Sequence, residues 1–201
     1  SRNRLFEEYV RMIDVFRPKM LVMENVSGLR KGKMKLMFAE MTIALKDAGY
    51  RVSCRELNAW WYGVPQDRRR LIWVGVRPDL EWEPSHPVPL VKSPVSVAEA
   101  LGVAGSITWY EKGGFAKGLP PKSIRKRDGA KSLFPTLAAQ SFGGQRRSAA
   151  LINRDGQIGQ LTIAEAKIIH GFPAWFELKE NEYKFVGNSV CPPMAEALGR
   201  H

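Results

Sequence analysis

At 201 residues, 44% hydrophobic and 25% charged, the chain is long enough to bury a sizeable core and too apolar for a disordered tail. No apolar run approaches the roughly 20 residues that cross a bilayer, and no signal-peptide pattern is present. Two cysteines and three histidines make neither a disulfide framework nor a zinc-ligand spacing, while a net charge of +11 points to a polyanionic partner. The expectation is a cytoplasmic protein with no membrane and no metal partner.

Residues 2–17 place Leu5, Tyr9, Met12, Ile13 and Phe16 at helical spacing, and the pattern stops before Pro18. "KMLVMENV" (19–26) is a continuous apolar run, the pattern of a strand buried on both faces. Met34, Met37, Phe38, Met41, Leu45 and Ala48 predict a second amphipathic helix closed by Gly49, with the methionines as core. "YRVSCRELNAW" and "RRRLIWVGVR" read as two strands separated by the turn Gly63-Val64-Pro65. This order predicts an α/β sheet with a hairpin at its end.

Between Pro78 and Pro94 the texture turns proline-rich, as at a linker or lobe boundary. "SVAEAL" suggests a short helix. From Lys112 to Arg154, ten lysines and arginines then stand against one acidic residue, Asp128, in a stretch poor in periodicity. That window is expected to be a small, loop-rich basic lobe for nucleic acid. "LTIAEAKIIHGFP" predicts a helix opened by a Thr162/Glu165 capping box and ended by Gly171 and Pro173. "VGNSVCPPMAEALGR" reads as a tight turn and then a helix entered through Pro192 and Pro193.

Two features carry chemistry. If residues 66–76 are extended, Gln66, Arg68 and Arg70 share one face, and Asp67 and Arg69 the other. Two guanidiniums then converge as a fork for phosphate, carboxylate or a base edge. Structural ion pairing with Asp67, Glu56 or Glu24 accounts for the same residues. Glu24 comes at the end of a predicted buried strand, followed by Asn25 and a glycine-containing loop, where open α/β sheets place ligands. A lone glutamate there also suits a turn. A glutamate facing arginines suits a planar heterocycle with donors and acceptors.

Five ordered segments resemble DNA (cytosine-5) methyltransferases, in their carboxyl-terminal half. "RPKMLVMENVSGL" is similar to that family's Glu-Asn-Val segment, and "GYRVSCRELNAWWYGVPQDRRRLIWVGVR" to its Gln-x-Arg-x-Arg segment. "FPTLAAQ", "LTIAEAKIIHGFPAWF" and "VGNSVCPPMAEALG" resemble its Pro-Thr-hydrophobic and last two blocks. The resemblance implies part of a Rossmann-like α/β sheet for S-adenosylmethionine, plus a target-recognition lobe. It divides the chain into catalytic residues 1–80, a lobe with hinge at 81–160, and helices returning to the catalytic domain at 161–201. By position, Glu24 resembles the glutamate at N3 and the amino group of a flipped cytosine, and Arg70 the arginine at its O2. Arg68 resembles a companion near the nucleophile and DNA backbone. Asn25 and Gln66 would help contact substrate and DNA, with Gln66 shaping its loop. Asn188 and Ser189 match residues at the methionine part of S-adenosylmethionine. Lys122, Arg125, Lys126, Arg127, Arg146 and Arg147 are the candidate DNA contacts of the lobe.

Trp61, Gln160, His170 and Cys191 stand where the family commonly has Asp, Arg, Gln and Pro. The family's nucleophilic Pro-Cys loop and its Phe-x-Gly-x-Gly cofactor loop do not occur here, and Cys54 and Cys191 are expected to be packing residues. The chain alone is therefore expected to be inactive. It would bind double-stranded DNA and pair with an amino-terminal methyltransferase half, a separate chain or a missing segment. That half would also cover the edge of "MLVMENV". The implied setting is bacterial or phage-like restriction-modification at the nucleoid. A non-catalytic DNA-binding remnant and a tRNA cytosine-5 methyltransferase relative are the alternatives.

Overall fold

The computed structural model describes residues 3–103, 108–112, 124–138, 151–154, 157–179 and 181–201. Its elements in chain order are α1 (Asn3–Phe16), β1 (Met20–Val26), α2 (Lys35–Asp47), β2 (Arg51–Asn58), β3 (Gln66–Asp67), β4 (Arg69–Val76), α3 (Val97–Leu101), β5 (Thr108–Lys112), β6 (Ile124–Asp128), β7 (Phe134–Pro135), β8 (Leu151–Arg154), β9 (Gln157–Gln160), α4 (Ile163–His170), α5 (Glu182–Asn188) and α6 (Pro192–Arg200). They form two units. One comprises Ser1–Leu57 with Arg69–Pro87, the other Asn58–Arg68 with Val88–His201.

In the first unit the strands lie in the order β1-β4-β2, with β1 and β4 antiparallel. The later strand β4 thus sits between the two earlier ones, and the strands on either side of Gly63-Val64-Pro65, β2 and β4, are hydrogen-bonded neighbours with β2 at the sheet edge. Leu21 and Met23 of β1 and Leu71 and Trp73 of β4 join Ile13, Met41 and Leu45 of the helices in one core. Gly75 is needed in that core: a Cβ there would meet the Leu21 side chain at 2.8 Å. The corner after α1 is held by Arg17, whose guanidinium donates to the Ala48 carbonyl at 2.8 Å. Tyr50 reaches the same corner, donating from its hydroxyl to the Pro18 carbonyl at 2.6 Å.

Burial along β1 alternates instead of being complete. Leu21 and Met23 are buried, while Met20, Val22 and Val26 are 45%, 48% and 50% exposed. The residues facing Met20 and Val22 across the ladder, Val76 and Val74, are buried. Within this unit the edge strand is therefore covered on the helix side only.

In the second unit, β3 pairs in parallel with β7. β5, β6, β8 and β9 make a four-stranded antiparallel sheet in the order β6-β5-β8-β9. Among the described residues in and around the basic window, four short strands appear that the sequence pattern does not announce. These strands are four or five residues long and read "TWYEK", "IRKRD", "LINR" and "QIGQ", too short and polar to show a period-two pattern. Phe134, Leu137, Ile152, Leu161, Ile169 and Val186 belong to its core.

The Thr162/Glu165 capping box opens α4 as the sequence predicts, and Gly171 closes it at φ +82°. A Cβ on Gly171 would lie 2.8 Å from Pro193, so a bare backbone lets the end of α4 meet the first turn of α6. The seven-residue α5 is not foreseen by the sequence reading. It carries Gly187 and Asn188 and starts at Asn181 in the left-handed region, φ 50°, which asparagine tolerates.

Candidate functional site

In the first unit, antiparallel pairing sets Glu24 opposite Ile72 and Val26 opposite Arg70. Residues directly opposite share a face, so Glu24 and Arg70 are diagonal neighbours on one side of the sheet. Arg70 Nε meets Glu24 Oε1 at 2.6 Å, with the arginine side chain 10% and the carboxylate side chain 31% exposed. Arg70 also donates to the Arg69 carbonyl at 2.9 Å. The carboxylate is thus held by a charge-assisted bond yet partly open to solvent. Beside it, the Asn25 Oδ1 accepts from the Val26 N–H at 2.8 Å and shapes the exit from β1. Arg69 points the other way, exposed and paired with Glu56 at 3.4 Å.

Arg68 belongs to the second unit and is 1% exposed. Its guanidinium donates to the carbonyls of Leu137 at 2.7 Å, Gly187 at 3.1 Å and Ser189 at 2.8 Å. Its own N–H is taken by Asn58 Oδ1 at 3.1 Å, and Asn58 Nδ2 donates to Asp67 at 2.7 Å. A buried guanidinium is tolerable because those carbonyls replace its water. The predicted alternation of 66–70 holds as burial, but the chain breaks between β3 and β4 at Arg68. The two-arginine fork is corrected: Arg68, in the break between the strands, is taken up by backbone carbonyls, whereas Arg70 on β4 holds Glu24.

Gln66 is fully buried. Its Oε1 accepts from the Leu137 N–H at 3.0 Å, and its Nε2 donates to the Ile169 carbonyl at 3.3 Å and faces His170 Nδ1 at 3.2 Å. The expectation that Gln66 contacts DNA is corrected to support of its loop, since its polar atoms are used inside the unit. Sequence reasoning missed His170 and Asn58 as the partners of this segment. Only the unusual histidine before Gly171 hinted at one of them.

Asn188 is exposed and Ser189 half-buried. Together with Asn181, Lys184 and Phe185 they line an open cleft of about 400 Å³. A cleft of that size lined by amide, hydroxyl, ammonium and aromatic groups has room for part of a small ligand. Of the two thiols, Cys191 is buried. Burial pushes the Cys54 thiol up to about 11, against a smaller lowering by Arg30, so at neutral pH it is not a thiolate.

On the basic window, Arg127 lies on the edge strand β6 and is exposed. Arg125 and Lys126 fall on the same strand by backbone position. Lys122, Arg146 and Arg147 lie outside the described residues. Among the described residues no group of three His, Cys, Asp or Glu could hold a metal ion, and no helix is long and apolar enough to cross a membrane.

A profile of the C-5 cytosine-specific DNA methylases matches residues 1–107 and 109–201. The chain belongs to that family. Within it, the chain is 39% identical to the type II methyltransferase M.FnuDI of Fusobacterium nucleatum over 99% of its own length and 68% of the relative's. It is 29% identical to the type II methyltransferase M.XorII of Xanthomonas oryzae, across 99% of its own length and 62% of that protein. The chain thus spans about three fifths to two thirds of these two relatives. A prophage-encoded E. coli structure assigned as a DNA modification methyltransferase superposes with a TM-score of 0.64 at 19% identity, covering 98% of this chain and 72% of the other. The mixed α/β fold is therefore that of the methyltransferases.

Proposed function

We propose that the chain is the carboxyl-terminal part of a DNA (cytosine-5) methyltransferase of a restriction-modification system, acting on duplex DNA in the cytoplasm at the nucleoid. The observation that carries this reading is the Glu24–Arg70 pair, a positioned and partly open carboxylate beside a guanidinium at a strand end. Attack of a thiolate at cytosine C6 pushes electrons into the ring. A carboxyl at N3 and a cation at O2 stabilise that charge where it develops. The base must first leave the duplex, which costs a few kcal/mol and is offset by such contacts. In this reading Arg68 and Gln66 hold the segment that leads into β4, the strand of Arg70, and Asn25 shapes the turn beside Glu24. Asn188 and Ser189 hold the methionine end of S-adenosylmethionine, which supplies the methyl group when bound.

The nucleophilic cysteine comes from an amino-terminal methyltransferase half, as neither Cys54 nor Cys191 is disposed to act. The half-exposed Met20, Val22 and Val26 on edge strand β1 support a further sheet segment from that half. Lys122, Arg125, Lys126, Arg127, Arg146 and Arg147 grip DNA phosphates. The test mixes the chain with the amino-terminal half of a relative and follows labelled methyl from S-adenosylmethionine onto duplex DNA. Transfer is expected only from the pair. No transfer from any combination, with duplex binding intact, would leave a DNA-binding remnant. Competition by tRNA but not duplex DNA would turn the reading to tRNA.

A further inference from the structure

We infer that His170 is a positioning residue, held as its neutral Nε2–H tautomer, that sets the carboxyl end of α5, Gly187–Ser189, at the cofactor cleft from the Gln66 side. The word cofactor rests on the proposed function; the hydrogen-bond chain does not. The direction of that chain follows from one backbone group. The Leu137 N–H can only donate, so the Gln66 atom it meets at 3.0 Å is Oε1, and the amide nitrogen faces His170 Nδ1 at 3.2 Å. A donor there needs the Nδ1 lone pair, which leaves the ring proton on Nε2. Nε2 lies 3.2 Å from the Ser189 carbonyl and 3.1 Å from Ser189 Oγ. The Ser189 hydroxyl donates onward to the Val186 carbonyl at 2.9 Å, so its oxygen is left to accept. Donors run one way from Leu137 through Gln66, His170 and Ser189 to Val186.

The ring is fully buried and stacks on Phe172 at 5.7 Å. Among the described residues, the Arg68 guanidinium meets the same end of α5, donating to the Ser189 carbonyl at 2.8 Å. On the helix of His170, Glu165 is engaged with Thr162, and Lys167 donates to the Phe176 carbonyl. Asp67 is taken up by Asn58. Cys191, two residues past Ser189, adds a buried thiol. A second ring proton would set Nδ1–H against the Gln66 amide N–H and beside a guanidinium. Acid therefore breaks the link from Gln66 to that end of α5, which a glutamine at position 170 could not do.

Three histidines make the test direct. In the chain labelled with ¹⁵N-histidine, long-range ¹H–¹⁵N spectra are expected to show His170 as the Nε2–H form at neutral pH. His170→Gln keeps an N–H at the ε position for Ser189, whereas His170→Asn reaches only the δ position. The backbone amide signals of Gly187, Asn188 and Ser189 are expected to stay in place in the first variant and shift in the second. On acidification they move in the native chain and not in His170→Gln. Affinity for S-adenosylmethionine, in the native chain joined to its amino-terminal half, falls roughly tenfold with Asn relative to Gln, one neutral hydrogen bond's worth. An Nδ1–H ring, a charged ring at neutral pH, or equal shifts in both variants overturns the proposal. If neither variant folds, the tautomer of the native chain decides it. Correct tautomer and shifts without any cofactor binding would overturn the proposed function and leave the link standing.

Discussion

Arg68 and Arg70 stand two residues apart and meet opposite fates. In the first unit Arg70 holds one carboxylate, Glu24, that is still partly open. In the second, Arg68 is closed over by three carbonyls from distant parts of the chain. The same side chain serves as the partner of a half-open carboxylate in one setting and as an internal strut in the other. What separates them is the break between β3 and β4, which leaves Arg68 outside any strand and Arg70 on β4. A run of arginines is thus no single patch.

Four measurements would break or sharpen that contrast. In the reconstituted enzyme, Glu24→Gln and Arg70→Ala should each lower methyl transfer roughly 10²- to 10³-fold, the scale for losing one group that stabilises developing charge. Equilibrium unfolding should move by no more than about 1 kcal/mol, because the carboxylate is partly solvated. Arg68→Ala should do the reverse. It leaves buried carbonyls without their donor and should lower unfolding free energy by about 3 kcal/mol or more in urea titrations. Arg68→Lys should rescue only part of this, since an ammonium cannot span the same fork. If Arg68→Ala lost activity but not stability, the strut reading would be wrong.

Neutralising Lys122, Arg125, Lys126 and Arg127 should weaken duplex binding without changing melting. The log–log salt slope should flatten by about 0.9 for every phosphate that is no longer neutralised. The smallest effect concerns Cys54. Because burial raises its thiol from 9.0 to about 11, alkylation by iodoacetamide should be slow at neutral pH and accelerate as pH approaches that value. The sign for stability follows: a raised folded value means the contribution is intact below 9.0 and is lost as pH rises through about 11. Fast alkylation at neutral pH would instead reopen Cys54 as a nucleophile.

Much of this was legible in the residues. The 3.6-residue spacing around Met41 and Leu45, the capping box at Thr162 and the apolar runs of β1 and β4 are local signals, and each became the expected element. The inward and outward alternation from Gln66 to Arg70 was legible too. The strands of the basic window were not, because charged residues on a short edge strand carry no period. Nor was the contact of Gln66 with His170, more than a hundred residues away.

By itself, then, the sequence determined the family blocks, the main elements and which arginines point inward, since these depend on near neighbours and periodicity. Only the tertiary structure decided what each arginine holds. Hydrogen-bond partners come from whatever backbone folding brings alongside, and Arg68 draws its carbonyls from Leu137, Gly187 and Ser189, where no local pattern points.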